Sequence, residues 1–226
     1  MNGRVAGPES GPAAGRVDER VGGRLAKALL VAFAVAALAE LVAVAVDSRT
    51  GQLLAKPVLM PLLAAYVAAR RGPRPLVAAL LLGWGGDVFL LSSDDGAFLA
   101  GMGCFAAGHL CYLTLFGRRR TRVDLAVGYG LLLLVTLALL WPGLPAELRV
   151  PVAVYSLLLA AMAYRASGLG VLAGAGGALF LLSDTLIATG VAEWPQPPAV
   201  DLWIMLTYIA AQALLTAGIL TARPRT

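Results

Sequence analysis

Eight stretches of 17 to 23 largely apolar residues follow one another along this chain, at Leu25–Val46, Leu53–Ala69, Pro75–Leu91, Ala97–Phe116, Val123–Leu140, Val150–Ala166, Leu169–Val191 and Leu202–Ala222. A run of that length is what an α-helix needs to cross a hydrocarbon core about 30 Å thick, at about 1.5 Å of rise per residue. Lipid offers no water to backbone N–H and C=O groups, so each stretch must satisfy its own ladder as a helix. Composition agrees: of 226 residues 59% are hydrophobic and 14% charged, a balance that a water-soluble domain cannot keep off its surface. The sequence therefore predicts an all-α, polytopic transmembrane bundle of eight helices over 25–222. A disordered cytoplasmic arm over 1–24, rich in Gly, Pro and Arg, is expected before it, and a short cytoplasmic tail over 223–226 after it. Twenty-six glycines suit helices packed closely in a lipid bilayer.

The basic residues alternate with the spans. Eight crossings place the N-terminal arm, the second, fourth and sixth connections and the tail on one side. That side holds Arg4, Arg16, Arg20, Arg24, Lys27, Arg70, Arg71, Arg74, Arg118, Arg119, Arg120, Arg122, Arg165, Arg223 and Arg225. The opposite side holds Arg49 and Arg149, with Lys56 just inside a span. The positive-inside rule then predicts a multi-pass protein of the cell membrane with both termini cytoplasmic. The net charge of +5 is a topology signal and not a nucleic-acid footprint, because the arginines sit in short runs without aromatic partners for base stacking. Cys104 and Cys111 share a helix face and are expected to be packing residues.

Charged residues inside a span cost about 2.5 to 3.5 kcal/mol each at mid-helix, so each asks for a reason. They are Glu40, Lys56, Asp87, His109 and Asp184, joined by Tyr112, Tyr208 and Gln212. Counting helical rise from the span ends puts Glu40, Lys56, Asp87 and Asp184 about 5 to 10 Å below the non-cytoplasmic boundary. His109 and Gln212 lie deeper. The set resembles a pocket that opens outward and narrows toward mid-membrane. Lys56 and Glu40 are long enough to snorkel, but a short aspartate is not. Asp87 follows Gly83-Trp84-Gly85-Gly86, and Asp184 follows Gly176-Gly177 by a few residues, so each carboxylate has glycines that bring a neighbouring helix close or leave room for a substrate. The matching placement of the aspartates in the third and seventh spans suggests two parallel four-helix halves.

Several of these residues recur as a set. Lys56-Pro57-Val58-Leu59-Met60-Pro61, Gly86-Asp87-Val88-Phe89-Leu90, Phe98 with Gly101, Phe105, His109 and Tyr112, then Leu179-Phe180-x2-Ser183-Asp184 and Ala211-Gln212, resemble the YhhN family of membrane proteins. The likeness runs from about Lys56 to the end of the eighth span and leaves out Glu40. It implies a lysoplasmalogenase, a hydrolase that cleaves the vinyl ether bond of a lysophospholipid to fatty aldehyde and glycerophospho-base. It implies Asp87 and Asp184 as the catalytic pair, with Lys56, Met60, His109, Tyr112, Ser183, Tyr208 and Gln212 around the substrate.

That chemistry suits two carboxyl groups. An enol ether opens by protonation at its β-carbon, and water captures the resulting oxocarbenium, so one carboxylic acid and one carboxylate suffice, as in glycoside hydrolysis. Which aspartate plays which part is open; Asp87 as acid and Asp184 as base is the preferred assignment, with Lys56 on the polar head or on a carboxylate. A single histidine leaves a hydrolytic zinc short of its about three protein ligands, and no cofactor is expected. Ser183 has no nucleophile-elbow context. The rival readings are a small transporter coupling ions through the aspartates, and an assembly factor whose polar network serves packing alone.

Overall fold

The computed structural model describes residues 12–222 except 93, 118 and 119. Among the described residues are eight helices: α1 (Pro12–Ala45), α2 (Arg49–Ala69), α3 (Arg74–Phe89), α4 (Asp95–Phe116), α5 (Val123–Leu140), α6 (Ala146–Ser167), α7 (Val171–Val191) and α8 (Val200–Thr221). Seven are long and apolar enough to cross a membrane, and the chain is a multi-pass helical bundle. The exception is α3. Its 16 residues rise about 24 Å, and it gives way to a turn at Leu90 and Leu91, short of the predicted end of that span. The N-terminal side also differs from expectation, because α1 is already helical at Pro12 and its apolar part begins at Gly22. The expected disordered arm is thus helical from Pro12 to Arg24, while its first eleven residues lie outside the described ones, as does the tail over 223–226.

Local chemistry sets several boundaries. Between α1 and α2, Asp47 takes a left-handed φ of 51°, and Ser48 caps α2 by accepting the Gly51 N–H at 3.2 Å, one of the N-terminal donors that a helix leaves unpaired. Asp94 does the same for α4 through the Ala97 N–H at 3.0 Å. Gly170 precedes α7 at φ 134°, a conformation closed to side-chain-bearing residues. Inside α2, Pro61 has no N–H to give the Pro57 carbonyl one turn back. The Trp84 indole N–H of α3 takes its place at 2.8 Å. Replacing Trp84 with Phe should lower stability by about 0.5–1.5 kcal/mol, read as a lower thermal midpoint in detergent.

The helices pack in a closed order. Neighbours run α1–α2–α3–α4, then α4–α6, then α6–α7–α8, with α8 returning to α1. Seven helices therefore form a ring, and α5 stands outside it with α6 as its principal neighbour. Leu140 at its end is its one buried residue among those described. The ring is held tight by small residues: a Cβ on Gly176 would lie 2.7 Å from the Leu215 nitrogen, and one on Gly218 would lie 2.6 Å from that of Ala173. The α7–α8 approach is therefore backbone against backbone. Gly177 makes the same kind of contact with Ala163 of α6. The expectation that glycines near an aspartate draw a neighbouring helix close or leave room is met as close helix approach by Gly176 and Gly177 near Asp184.

Candidate active site

Each aspartate is held by a tyrosine from another helix. Asp87 of α3 is 3% exposed and accepts the Tyr208 hydroxyl of α8 across the ring at 2.8 Å. Tyr208 has one proton and spends it there, so its oxygen accepts from the Gln212 amide, 3.4 Å away. The Gln212 carbonyl oxygen in turn accepts from the Tyr112 hydroxyl at 2.6 Å. Tyr112, Gln212 and Tyr208 thus form a row of donors, all pointing the same way, that ends on the Asp87 carboxyl group.

Asp184 of α7 accepts the hydroxyl of Tyr155 on α6. His109 Nε2 of α4 lies 3.2 Å from the same hydroxyl. Because the tyrosine proton points at Asp184, the phenolic oxygen is left as acceptor, and His109 is the Nε2–H tautomer. Its Nδ1 is buried without a hydrogen-bond partner. A second row, His109 to Tyr155 to Asp184, mirrors the first.

Between the two rows stands an aromatic partition. Phe180 meets the His109 ring edge-on at 4.8 Å and the Tyr208 ring at 5.5 Å. Phe105 meets Tyr208 at 6.0 Å and Phe180 at 6.2 Å. Phe105 lies so close over Gly86 that a Cβ there would sit 2.5 Å from its ring. The glycine before Asp87 thus leaves room for the Phe105 ring against α3.

The surroundings of the two carboxyl groups differ. Asp184 and Tyr155 line a cleft walled by α4, α5, α6 and α7. Its other lining is almost wholly apolar, with Thr136, Ser156 and Thr185 as the further polar members. Asp87 is not among the residues that line this cleft, and its charged neighbours are Lys56 and Glu40. Glu40 is fully buried, and neither of its carboxyl oxygens has a hydrogen-bond partner. Lys56 is half-buried on α2.

Of the residues expected around a substrate, Asp87, Tyr208, Gln212 and Tyr112 are joined by hydrogen bonds, and His109 joins Asp184 through Tyr155. Three do not join either row, Lys56 among them. Ser183 is buried and donates to the Ile204 carbonyl of α8 at 3.1 Å, which ties α7 to α8, and Met60 is wholly buried in the main apolar core. Tyr155 was not anticipated. A tyrosine deep in a span, away from the interfacial belts where tyrosine concentrates, is the one signal that pointed to it.

Fold and site together define a multi-pass membrane protein with paired tyrosine-held carboxylates inside its bundle. The YhhN family model matches residues 51–219, three quarters of the chain, and this chain belongs to the YhhN family. It is 40% identical over 151 residues to a pig protein named lysoplasmalogenase TMEM86B, a match covering 64% of this chain and 62% of that one. The human protein of the same name is 39% identical over 151 residues, covering 64% and 63%. A Mycobacterium bovis protein named lysoplasmalogenase is 30% identical over 194 residues, covering 77% of this chain and 74% of that one. The chain therefore spans less than two thirds of the length of these mammalian relatives. No solved structure matches it.

Proposed function

We propose that the protein hydrolyses the vinyl ether bond of a lysoplasmalogen, an alkenyl-glycerophosphocholine or -ethanolamine, to fatty aldehyde and glycerophospho-base. The names of the relatives support the reaction class. The observation that carries the reading to this chain is the pair of intramembrane carboxyl groups, each receiving a tyrosine hydroxyl, with one of them on the wall of an apolar cleft.

Asp87, sealed from water, suits the neutral acid, and Asp184, open to the cleft, suits the carboxylate. The Phe105 and Phe180 side chains turn aside to let the alkene reach Asp87, which gives its proton to the β-carbon; the π electrons form the new C–H bond and leave positive charge on the α-carbon and ether oxygen. Water adds to the α-carbon while Asp184 takes one of its protons, forming a hemiacetal. On collapse the bond from that carbon to the glycerol oxygen breaks. The hemiacetal hydroxyl proton returns to Asp87, and Asp184 protonates the departing alkoxide, so both carboxyl groups regain their starting states. Tyr208 and Tyr155 hold the carboxyls in place, Gln212, Tyr112 and His109 hold the tyrosines, and Lys56 pairs with the substrate phosphate.

Incubating purified protein with lysoplasmenylethanolamine tests the reading: aldehyde should appear, and in D₂O it should carry one deuterium at C2. Absence of aldehyde from folded protein overturns it; release of unchanged substrate across a vesicle wall favours transport instead. Replacing Tyr155 with Phe removes a hydrogen bond to a charged group worth about 1.5–3 kcal/mol. It should lower kcat about 10- to 100-fold with KM little changed, in steady-state assays of aldehyde release. The same reading places the protein in the cell membrane with both termini cytoplasmic, as the arginine distribution favours.

A further inference from the structure

We propose that Glu40 and Lys56 form a head-group site that selects a phosphoethanolamine head, with the ammonium on Glu40 and the phosphate on Lys56. The proposal rests on the lysophospholipid reading above and adds which head the protein takes. Glu40 stands on α1, before the residues that the YhhN family model matches, so the family likeness does not account for it. It does not snorkel: its exposure is 0%, and neither carboxyl oxygen has a hydrogen-bond partner. Burying a carboxyl group without donors is costly, and buried polar groups nearly always have partners. Two acceptors thus stand ready for a donor that the described residues do not supply. The cation beside them is Lys56. Its helix, α2, packs on α1, and Lys56 is half-buried and a charged neighbour of both Glu40 and Asp87.

An anion and a cation side by side, next to the carboxyl group that serves as acid, complement a zwitterion. Glycerol separates the phosphate from the vinyl ether by a few bonds, so a phosphate on Lys56 brings the double bond toward Asp87. The flexible lysine stem lets Lys56 turn from Glu40 to the phosphate. That move takes the countercharge from a buried carboxylate, which is strongly unfavourable unless the substrate brings a cation of its own. An ethanolamine ammonium does so, with three N–H donors for the two Glu40 oxygens. Choline carries the same charge but has no N–H to give, and quaternary ammonium groups are held by aromatic faces instead. Glu40 therefore favours ethanolamine over choline.

Two measurements test this. In the first, 1-O-alkyl-lysophospholipids, whose saturated ether leaves no vinyl bond to cleave, are titrated into the wild-type protein in detergent by calorimetry. Their heads run from ethanolamine through N-methyl- and N,N-dimethylethanolamine to choline. Affinity should fall along the series by at least about tenfold between its ends, the worth of a hydrogen bond to a charged group. Equal affinities overturn the proposal. In the second, Glu40→Gln keeps the size of the side chain and removes its charge. The two ends of the series should then bind alike, and in aldehyde-release assays the ethanolamine substrate should lose through KM and not through kcat. A folded Glu40→Gln that keeps the wild-type preference overturns the proposal, and the wild-type series decides it where the variant does not fold. The first measurement needs no turnover. A protein that prefers the ethanolamine head yet releases no aldehyde refutes the hydrolase reading and leaves the head-group site standing.

Discussion

Asp184→Asn should release aldehyde about 10²- to 10⁴-fold more slowly than the parent, the range over which a positioned proton-transfer group contributes. The substitution changes little else. Asparagine keeps the size of aspartate, and its side-chain oxygen still accepts the Tyr155 hydroxyl that Asp184 accepts now. It cannot take a proton from water or return one to the glycerol oxygen. The thermal midpoint should therefore stay within a few degrees of the parent while turnover collapses. Asp87→Asn should lose as much, because the amide has no proton to pass to the β-carbon. The double variant should be little worse than either single one, since groups that act as a unit are not additive. Undiminished turnover in folded Asp184→Asn sinks the two-carboxylate mechanism. An equal loss of stability in both variants points instead to a network that serves packing.

The helices were legible because lipid enforces them: a backbone with no water must pair with itself, so hydropathy alone marks most of the spans. Their neighbours were not legible. Nothing in the run Val123–Leu140 says that α5 stands outside a ring that its sequence neighbours α4 and α6 join directly; hydropathy reports contact with lipid or protein alike. Asp87 and Asp184 could be found because an intramembrane carboxylate is costly and short, and their adjacent glycines marked close approach. Tyr155 escaped for the opposite reason. Its ring is at ease in a span, and only the three-dimensional meeting of α4, α6 and α7 puts its hydroxyl between His109 and Asp184. Ser183 shows the converse error. Next to Asp184 in sequence, it turns toward α8 and gives its proton to the Ile204 carbonyl, because adjacent residues on a helix do not share a face. The partition of Phe105 and Phe180 likewise follows from Gly86, which the sequence marked as a close approach without naming what approaches.

Gly176→Leu should destabilise the protein by about 3 kcal/mol, the upper part of the usual range for overpacking, and should take activity with it. At Gly176 a Cβ would stand 2.7 Å from the Leu215 nitrogen and 2.9 Å from the Ala211 carbonyl oxygen. Both are backbone atoms inside α8 and have no rotamer to retreat into, so the helices themselves must part. Parting α7 from α8 stretches the Ser183–Ile204 hydrogen bond and loosens the contact of Phe180 with Tyr208. Tyr208 is then free to swing away from Asp87, which it now meets at 2.8 Å, and Asp184 moves with α7. Gly128→Leu is the matching control. Gly128 lies within α5, and a Cβ there would meet nothing within 4 Å, so the change should be neutral or stabilising by up to about 1 kcal/mol, the helix-propensity gain over glycine. Detergent unfolding midpoints of the two variants should therefore move apart while their added volume is the same. Equal midpoints would mean that the α7–α8 seam yields, and that the tyrosine–aspartate geometry does not depend on its closeness.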